Sequence, residues 1–478
     1  MIITVILFTV YRDGKKMEDV IRKKPKWFPG RKRDVDMTEG NILSHIIKFA
    51  LPLLVGNVLQ QLYNMVDTWV VGNYVSDEAF SAVGTVGPII NLLIGFFMGF
   101  STGTGVVISQ FYGAKKYEEV QKALHTALLV TLILGVLFTA IGIIMVPTML
   151  DFMKTPDDVL DEATEYLTIY FSGILGLMLY NIGSGILRSV GDSQRPFYFL
   201  AISAATNTAL DLLFVLKFNM GVKGVALATI MAQGLSALLI LITLIRTDNC
   251  IKFSPKKLRI HKEMLLKTIK VGLPAGLQMA VTSFSNIFVQ SYINFFGKAA
   301  MGGWTAYSKI DQLILLPMQS ISLASTTFVG QNLGKGNVAR ARKGVSTALL
   351  IACASTIILM IPVMFFAPHL VYFFNKEPEI IEFGTMFLHW LTPFYVLCCM
   401  NQIFSGALRG SGNSTTPMII MLCSFVFFRQ IYLYIMANYI SNTMIPIAMS
   451  YPAGWLLCSL LMFIYYKRAN LEKSRVVK

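Results

Sequence analysis

Long apolar runs separated by short polar stretches recur from residue 42 to residue 466. Each run is about 20 residues or more, the length a helix needs to cross ~30 Å of hydrocarbon at 1.5 Å per residue. Twelve such spans are read, at 42–72, 80–110, 122–149, 161–183, 196–216, 222–245, 266–294, 302–331, 343–366, 382–405, 417–437 and 443–466. Pro52, Gly56, Gly95, Gly99 and Gly103 fall inside them, as membrane helices tolerate. Gly95, Gly99 and Gly103 at four-residue spacing predict a face of the second span on which another backbone packs closely.

Composition sharpens this into an all-α polytopic membrane protein. Of 478 residues 55% are hydrophobic and 14% charged, against about 25% charged in a soluble protein. The six cysteines (Cys250, Cys353, Cys398, Cys399, Cys423 and Cys458) lie in or beside apolar stretches without a C-x-x-C, and read as small buried hydrophobes.

The net charge of +15 would suit nucleic acid, but its distribution assigns it to topology. With the N-terminus inside, 34 of the 41 Lys and Arg residues fall in the inner tails and loops, and acidic Asp157, Asp158, Asp161 and Glu162 fall outside. That asymmetry places both termini in the cytoplasm of a multi-pass plasma-membrane protein and leaves no role for nucleic acid. The chain divides into a cytoplasmic tail (1–41), a six-helix lobe (42–246), a basic linker (247–268), a second six-helix lobe (269–466) and a tail (467–478). Met1–Val10 is apolar but too short to span, and Arg22–Arg33 reads as a disordered basic tail. Met37-Thr38-Glu39-Gly40-Asn41 has the look of a natural start, with the upstream residues dispensable or untranslated.

An internal repeat relates the lobes. Gly185-Ile186-Leu187-Arg188-Ser189-Val190-Gly191-Asp192-Ser193-Gln194-Arg195-Pro196 returns as Gly406-Ala407-Leu408-Arg409-Gly410-Ser411-Gly412-Asn413-Ser414-Thr415-Thr416-Pro417, six of twelve positions agreeing at a separation of 221. The same separation relates Gln110 and Gly113 to Gln331 and Gly334. Six spans separate the copies, so the repeats run parallel, related by an axis along the membrane normal, as in alternating-access transporters. Arg188 and Arg409 are expected to bond helix-end carbonyls or lipid phosphates in equivalent inner loops.

Ionisable side chains inside the membrane are costly and mark function. Three stand out: Asp67, Asp211 and Arg429, with no carboxylate at matching depth in the second half. Gln60, Asn64 and Asp67 share one helix face, and Asn207 and Asp211 make an i, i+4 pair. Asn181 and Thr229 are further polar candidates. Two acids facing one cavity would hold exchangeable protons or a cation; the alternative is a pair of interhelical hydrogen bonds without a transport role. Arg429 lies too deep to snorkel and pairs with a carboxylate, a lipid phosphate or helix carbonyls.

Phe49-Ala50-Leu51-Pro52, Gln60-Gln61-Leu62-Tyr63-Asn64-Met65-Val66-Asp67, Val83-Gly84 and the paired G-x-L-R-x-x-G-x-S-x-x-P loops resemble the multidrug and toxic compound extrusion (MATE) family, from about Thr38 to Lys467. The resemblance implies two six-helix lobes in a V that open alternately to either side. It also implies export of cationic or amphipathic organic compounds in exchange for H⁺ or Na⁺, with no cofactor. In the branch with an acidic first lobe, Asp67, Asn207 and Asp211 match the coupling positions, with Asn181 and Thr229 associated and Na⁺ an alternative occupant of the first three. Gln60, Asn64 and Arg429 are assigned to the substrate cavity. The other branch has a glutamate where Thr282 stands here. The protein is taken to be a monomer whose partners are small organic substrates and the bilayer.

Two rivals remain. Gly99-Phe100-Ser101-Thr102-Gly103 matches G-x-S-x-G and His389 lies within the tenth span, which would suit an intramembrane hydrolase, but the motif sits mid-helix rather than on a strand-to-helix elbow. No G-x-x-x-x-G-K-[ST] occurs. A flippase for a lipid-linked precursor, of a related twin-lobe fold, would be expected to line its cavity with cations, against the two acids and one base here.

Overall fold

The structure, a computed structural model, describes residues 35–477. Met1–Val10 and Arg22–Arg33, read above as a short apolar stretch and a basic tail, lie outside the described residues. Helix ends follow local chemistry. α1 (Ile42–Tyr74) begins where the Asn41 side chain accepts the Ser44 amide, and α2 (Asp77–Gly113) where Ser76 accepts that of Ala79, each satisfying a donor the helix itself cannot. α3 spans Tyr117–Phe152. The fourth span breaks at Gly173 into α4 (Asp157–Ser172) and α5 (Ile174–Ser189), bent by 48°. α6 (Gln194–Leu212) widens into a π-helical turn at Leu213–Lys217, and α7 (Gly221–Arg246) closes the first lobe.

The second lobe repeats the plan. α8 (Lys262–Asn294), α9 (Lys298–Gly334) and α10 (Val338–Phe365) are followed by a short α11 (Ala367–Phe374). α12 (Pro378–Leu391) and α13 (Tyr395–Ser411) form the tenth span. α14 (Thr415–Met421) and α15 (Arg429–Ile435) flank a π-helical stretch, and α16 (Met444–Ala448) and α17 (Ser450–Arg468) end the bundle. Among the described residues ten helices are long and apolar enough to cross a membrane, and the bent α4–α5 pair makes an eleventh. The remaining rod of the twelve is α8, 33 residues long, whose run carries Gln278, Thr282, Ser285, Asn286 and Gln290.

That polar helix faces the other lobe. The glycine stripe of α2 lies directly on it: a Cβ at Gly103 would come within 2.7 Å of Gly272 Cα, and one at Gly99 within 2.8 Å of Gly272 O. Only hydrogen fits there, so backbone packs on backbone as the spacing predicted. The repeat-related contact joins α1 to α9, where Asn57 Nδ2 donates to Ser320 Oγ at 3.3 Å.

The termini cross over between lobes. Met37, Ile46, Phe49, Ala50 and Leu53 are buried in the hydrophobic cluster of the second lobe, whereas Val477, at the other end of the chain, is buried with Val107, Phe111 and Leu187 of the first. The linker is pinned to the first lobe, with the Ser254 amide donating to His125 Nε2 and the Gln121 amide to the Lys252 carbonyl.

Candidate functional site

α1 and α6 pack side by side and bring the Asp67 carboxyl close to that of Asp211. Asn207, one turn before Asp211 on α6, is buried beside it, and Asp211 is fully buried. The chain leaves this turn as the π-helical Leu213–Lys217, a distortion common at functional sites. Asp67 Oδ1, both oxygens of Asp211 and both polar atoms of the Asn207 amide are buried with no donor or acceptor satisfying them. Folded proteins rarely leave buried polar atoms so, because each costs about 1–3 kcal/mol. Five at one place describe a site built for something other than its own side chains. Two aromatic residues that sequence reasoning did not single out enclose it: Tyr63, one turn before Asp67 and bonded to Gln60, and Tyr166 from α4, which faces both acids.

The other candidates are placed less directly. Asn181 Nδ2 donates to the Leu177 carbonyl at 2.9 Å and Thr229 Oγ1 to that of Val225 at 3.0 Å, each on its own helix. Asn64 is exposed and Gln60 half-buried on the same face of α1. Ser101 gives its hydroxyl to the Asn181 carbonyl at 2.6 Å, and the His389 ring bonds the Met364 carbonyl at 3.0 Å. Neither forms a nucleophile–base pair with the other. Of the cysteines, Cys398, Cys399 and Cys458 are buried as expected, while Cys423 is exposed.

In the second lobe the structure decides among the alternatives open for Arg429 and adds an acid. Arg429, 2% exposed, is held by neutral acceptors: the Phe425 carbonyl at 3.1 Å, Ser285 Oγ at 2.6 Å and Asn286 Oδ1 at 2.9 Å, with its guanidinium 4.6 Å from the Tyr451 ring centroid. It is thus a helix-carbonyl and cation–π residue, not half of a salt bridge. The statement that the second half lacks an intramembrane carboxylate is overturned by Asp311. Asp311 lies inside the span read at 302–331, and α9 begins at Lys298, which puts it about 20 Å into the helix. Its Oδ1 is buried without a partner.

At the end where Met37 and Val476 lie, the repeat forms a closed seam. Gln110 Nε2 donates to the Gly410 carbonyl and Gln331 Nε2 to the Ser189 carbonyl, both at 2.9 Å. Each glutamine also accepts a terminal segment: Gln331 Oε1 takes the Met37 amide at 2.9 Å, and Gln110 Oε1 the Val476 amide at 2.7 Å. Gly113 and Gly334 allow this approach, since a Cβ on either would overlap the carbonyl oxygen of the opposite glutamine. Lys335 Nζ adds a 2.8 Å ion pair with Glu39, and the Lys335 ammonium bonded to it holds the Glu39 carboxyl below the ordinary range. Of the repeated arginines, Arg409 has its Nε buried without a partner, and it is the neighbouring loop carbonyls that make the interlobe bonds.

The MatE family model matches residues 52–213 and 274–435, one match in each lobe. A probable multidrug resistance protein of Bacillus subtilis, YpnP, is 30% identical over 441 residues, 92% of this chain and 98% of the relative. The probable multidrug resistance protein NorM of Thermotoga maritima is 26% identical over 443 residues, 91% and 94% of the two chains. Among solved structures, the outward-facing conformation of a multidrug resistance MATE family transporter superposes with a TM-score of 0.87 at 23% identity, covering 93% of this chain and 99% of that one.

Proposed function

The chain belongs to the MATE family of transporters, and from that premise we propose that it is a secondary active exporter of cationic or amphipathic organic compounds. It exchanges them for H⁺ or Na⁺ by alternating access across the plasma membrane, with both termini in the cytoplasm. It is a transporter and not an enzyme. The observation that carries the coupling site is the cluster of unsatisfied atoms at Asp67, Asn207 and Asp211. Two acids facing each other can share one proton, and the four unsatisfied oxygens of Asp67, Asp211 and Asn207 are the means of holding a proton or a cation that comes and goes. Asn181 and Thr229 support the helices around it, and Gln60 and Asn64 belong to the surface that meets substrate, whereas Arg429, buried and bonded within the second lobe, holds the packing there.

The seam supports the alternation. Inward opening must part Gln110 from Gly410 and Gln331 from Ser189, bonds between lobes that leave the interior of each lobe untouched. Energetically, an ion gradient of about 150 mV supplies about 3.4 kcal/mol per charge, which sustains roughly 300-fold accumulation of a neutral drug per ion.

Purified protein in liposomes, tested for dye movement under an imposed pH or Na⁺ gradient separately, decides the exchange and its ion. Uphill movement is expected under one gradient and lost in Asp67→Asn, which preserves size and hydrogen-bonding capacity but removes titration. Uphill transport by Asp67→Asn with unaltered ion dependence would overturn the first-lobe coupling site.

A further inference from the structure

Asp311 is half-buried, with its Oδ1 fully enclosed, and the first-lobe site does not use it. It stands one turn beyond Tyr307 on α9, and the hydroxyls of Tyr307 and of Tyr395 on α13 lie beside its carboxyl. Those hydroxyls bond each other at 3.2 Å. Around them is an aromatic wall. The Trp304 ring packs 4.8 Å from Tyr307 and 5.3 Å from Tyr451, and Tyr395 packs 5.7 Å from Trp455. Tyr307 and Tyr395 are both buried. The charged and titratable groups facing Asp311 are therefore Tyr307 from its own helix, Tyr395 and Cys398 from α13, and Tyr451 from α17. Arg429 meets the same Tyr451 ring and forms no ion pair with Asp311. The exposed Lys309 is two residues away on the same helix, about 200° round its axis.

Resting on the exporter reading above, we propose that Asp311 is a second proton-binding carboxyl, set in the second lobe, so that each lobe carries one exchangeable proton site. Ion-pair stabilisation is missing, the carboxyl sits among aromatic rings rather than water, and its Oδ1 has no partner. An isolated carboxylate in such surroundings is costly. A metal cation would need several anionic or carbonyl oxygens converging on it, whereas the neighbours here are one carboxyl and neutral phenols, weak cation ligands whose O–H groups suit a carboxyl that gains and loses a proton. A proton on the carboxyl leaves the site neutral, and its loss leaves a carboxylate that the two hydroxyls stabilise. Tyr451, whose hydroxyl lies 3.4 Å from the exposed Asn286 Oδ1, separates the site from the lobe surface.

Infrared difference spectra of the purified protein between acid and alkaline pH test this without reference to transport. A protonated-carboxyl band is expected to vanish in Asp311→Asn, to persist in Asp67→Asn, and to shift in Tyr395→Phe, which keeps the ring and the packing if Asp311→Asn folds poorly. In liposomes with a gradient of one pH unit and no membrane potential, Asp311→Asn should lower the limiting accumulation about tenfold, the effect of one proton fewer per cycle. An Asp311→Asn protein with an unchanged carboxyl band overturns the proposal, as does tryptophan fluorescence that responds to Na⁺ in the parent chain and not in Asp311→Asn. If the parent chain accumulates nothing, the exporter reading fails, while the infrared band still decides Asp311.

Discussion

Single residues in this protein act in repeat-related pairs. Gln110 and Gln331 each satisfy a carbonyl of the opposite lobe and a backbone amide of a terminal segment. Truncating one leaves buried groups unpaired, at a cost of about 1–3 kcal/mol. Gln110→Ala is therefore expected to raise the population of seam-open molecules roughly 5–150-fold, and Gln110→Ala with Gln331→Ala further. A spin-label pair at Glu118 and Ala339, on the two sides of the seam, would report this as a growing long-distance fraction. Distance distributions identical to the parent's would remove the glutamines from the gate. The acid pair does not obey the repeat. Asp67 and Asp211 are in the first lobe only, and the second lobe's acid, Asp311, enters from a different helix and meets tyrosines rather than another carboxylate.

At the scale of elements, the α2–α8 contact packs backbone on backbone between the lobes and is the one most legible beforehand. Glycines at 95, 99 and 103 announce a close approach; the partner helix and its own Gly272 and Gly276 were not nameable from that pattern, because spacing on one helix carries no address. Gly99→Ala should overpack the contact, since the new Cβ meets the Gly276 backbone, which cannot rotate away. The expected cost is about 1–3 kcal/mol, read as a lowered thermal midpoint in detergent. Ser320→Ala, on the repeat-related α1–α9 contact, loses the bond from Asn57 and its own to the Leu316 carbonyl but meets no steric clash, and should fall less. Equal midpoints for the two variants would contradict a backbone-to-backbone contact at α2–α8.

For the whole molecule, orientation in the bilayer follows from the distribution of Lys and Arg and not from the packing, since a helical bundle packs alike either way up. A cysteine at Asp157 should react with an impermeant thiol reagent applied outside intact cells, and one at Lys256 only after permeabilisation. The opposite pattern would invert every loop assignment together, including the placement of the glutamine seam on the cytoplasmic side.

The sequence by itself determined the all-helical membrane class, the twelve spans and the duplicated plan, because apolar run length and repeat spacing are properties of the chain in one dimension. It also named Asp67, Asn207 and Asp211, since a charge in a hydrophobic run is conspicuous whatever surrounds it. Only the tertiary structure decided which polar atoms are left unsatisfied, because satisfaction depends on neighbours far apart in sequence. It brought Asp67 to Asp211, decided for carbonyl, hydroxyl and amide oxygens among the partners open to Arg429, and set Asp311 beside Tyr307 and Tyr395. It also set the termini across the lobes, Met37 on the second and Val477 on the first. Short terminal segments carry too little hydrophobic pattern to say which surface covers them; the surface that offers a buried acceptor for their amides decides it.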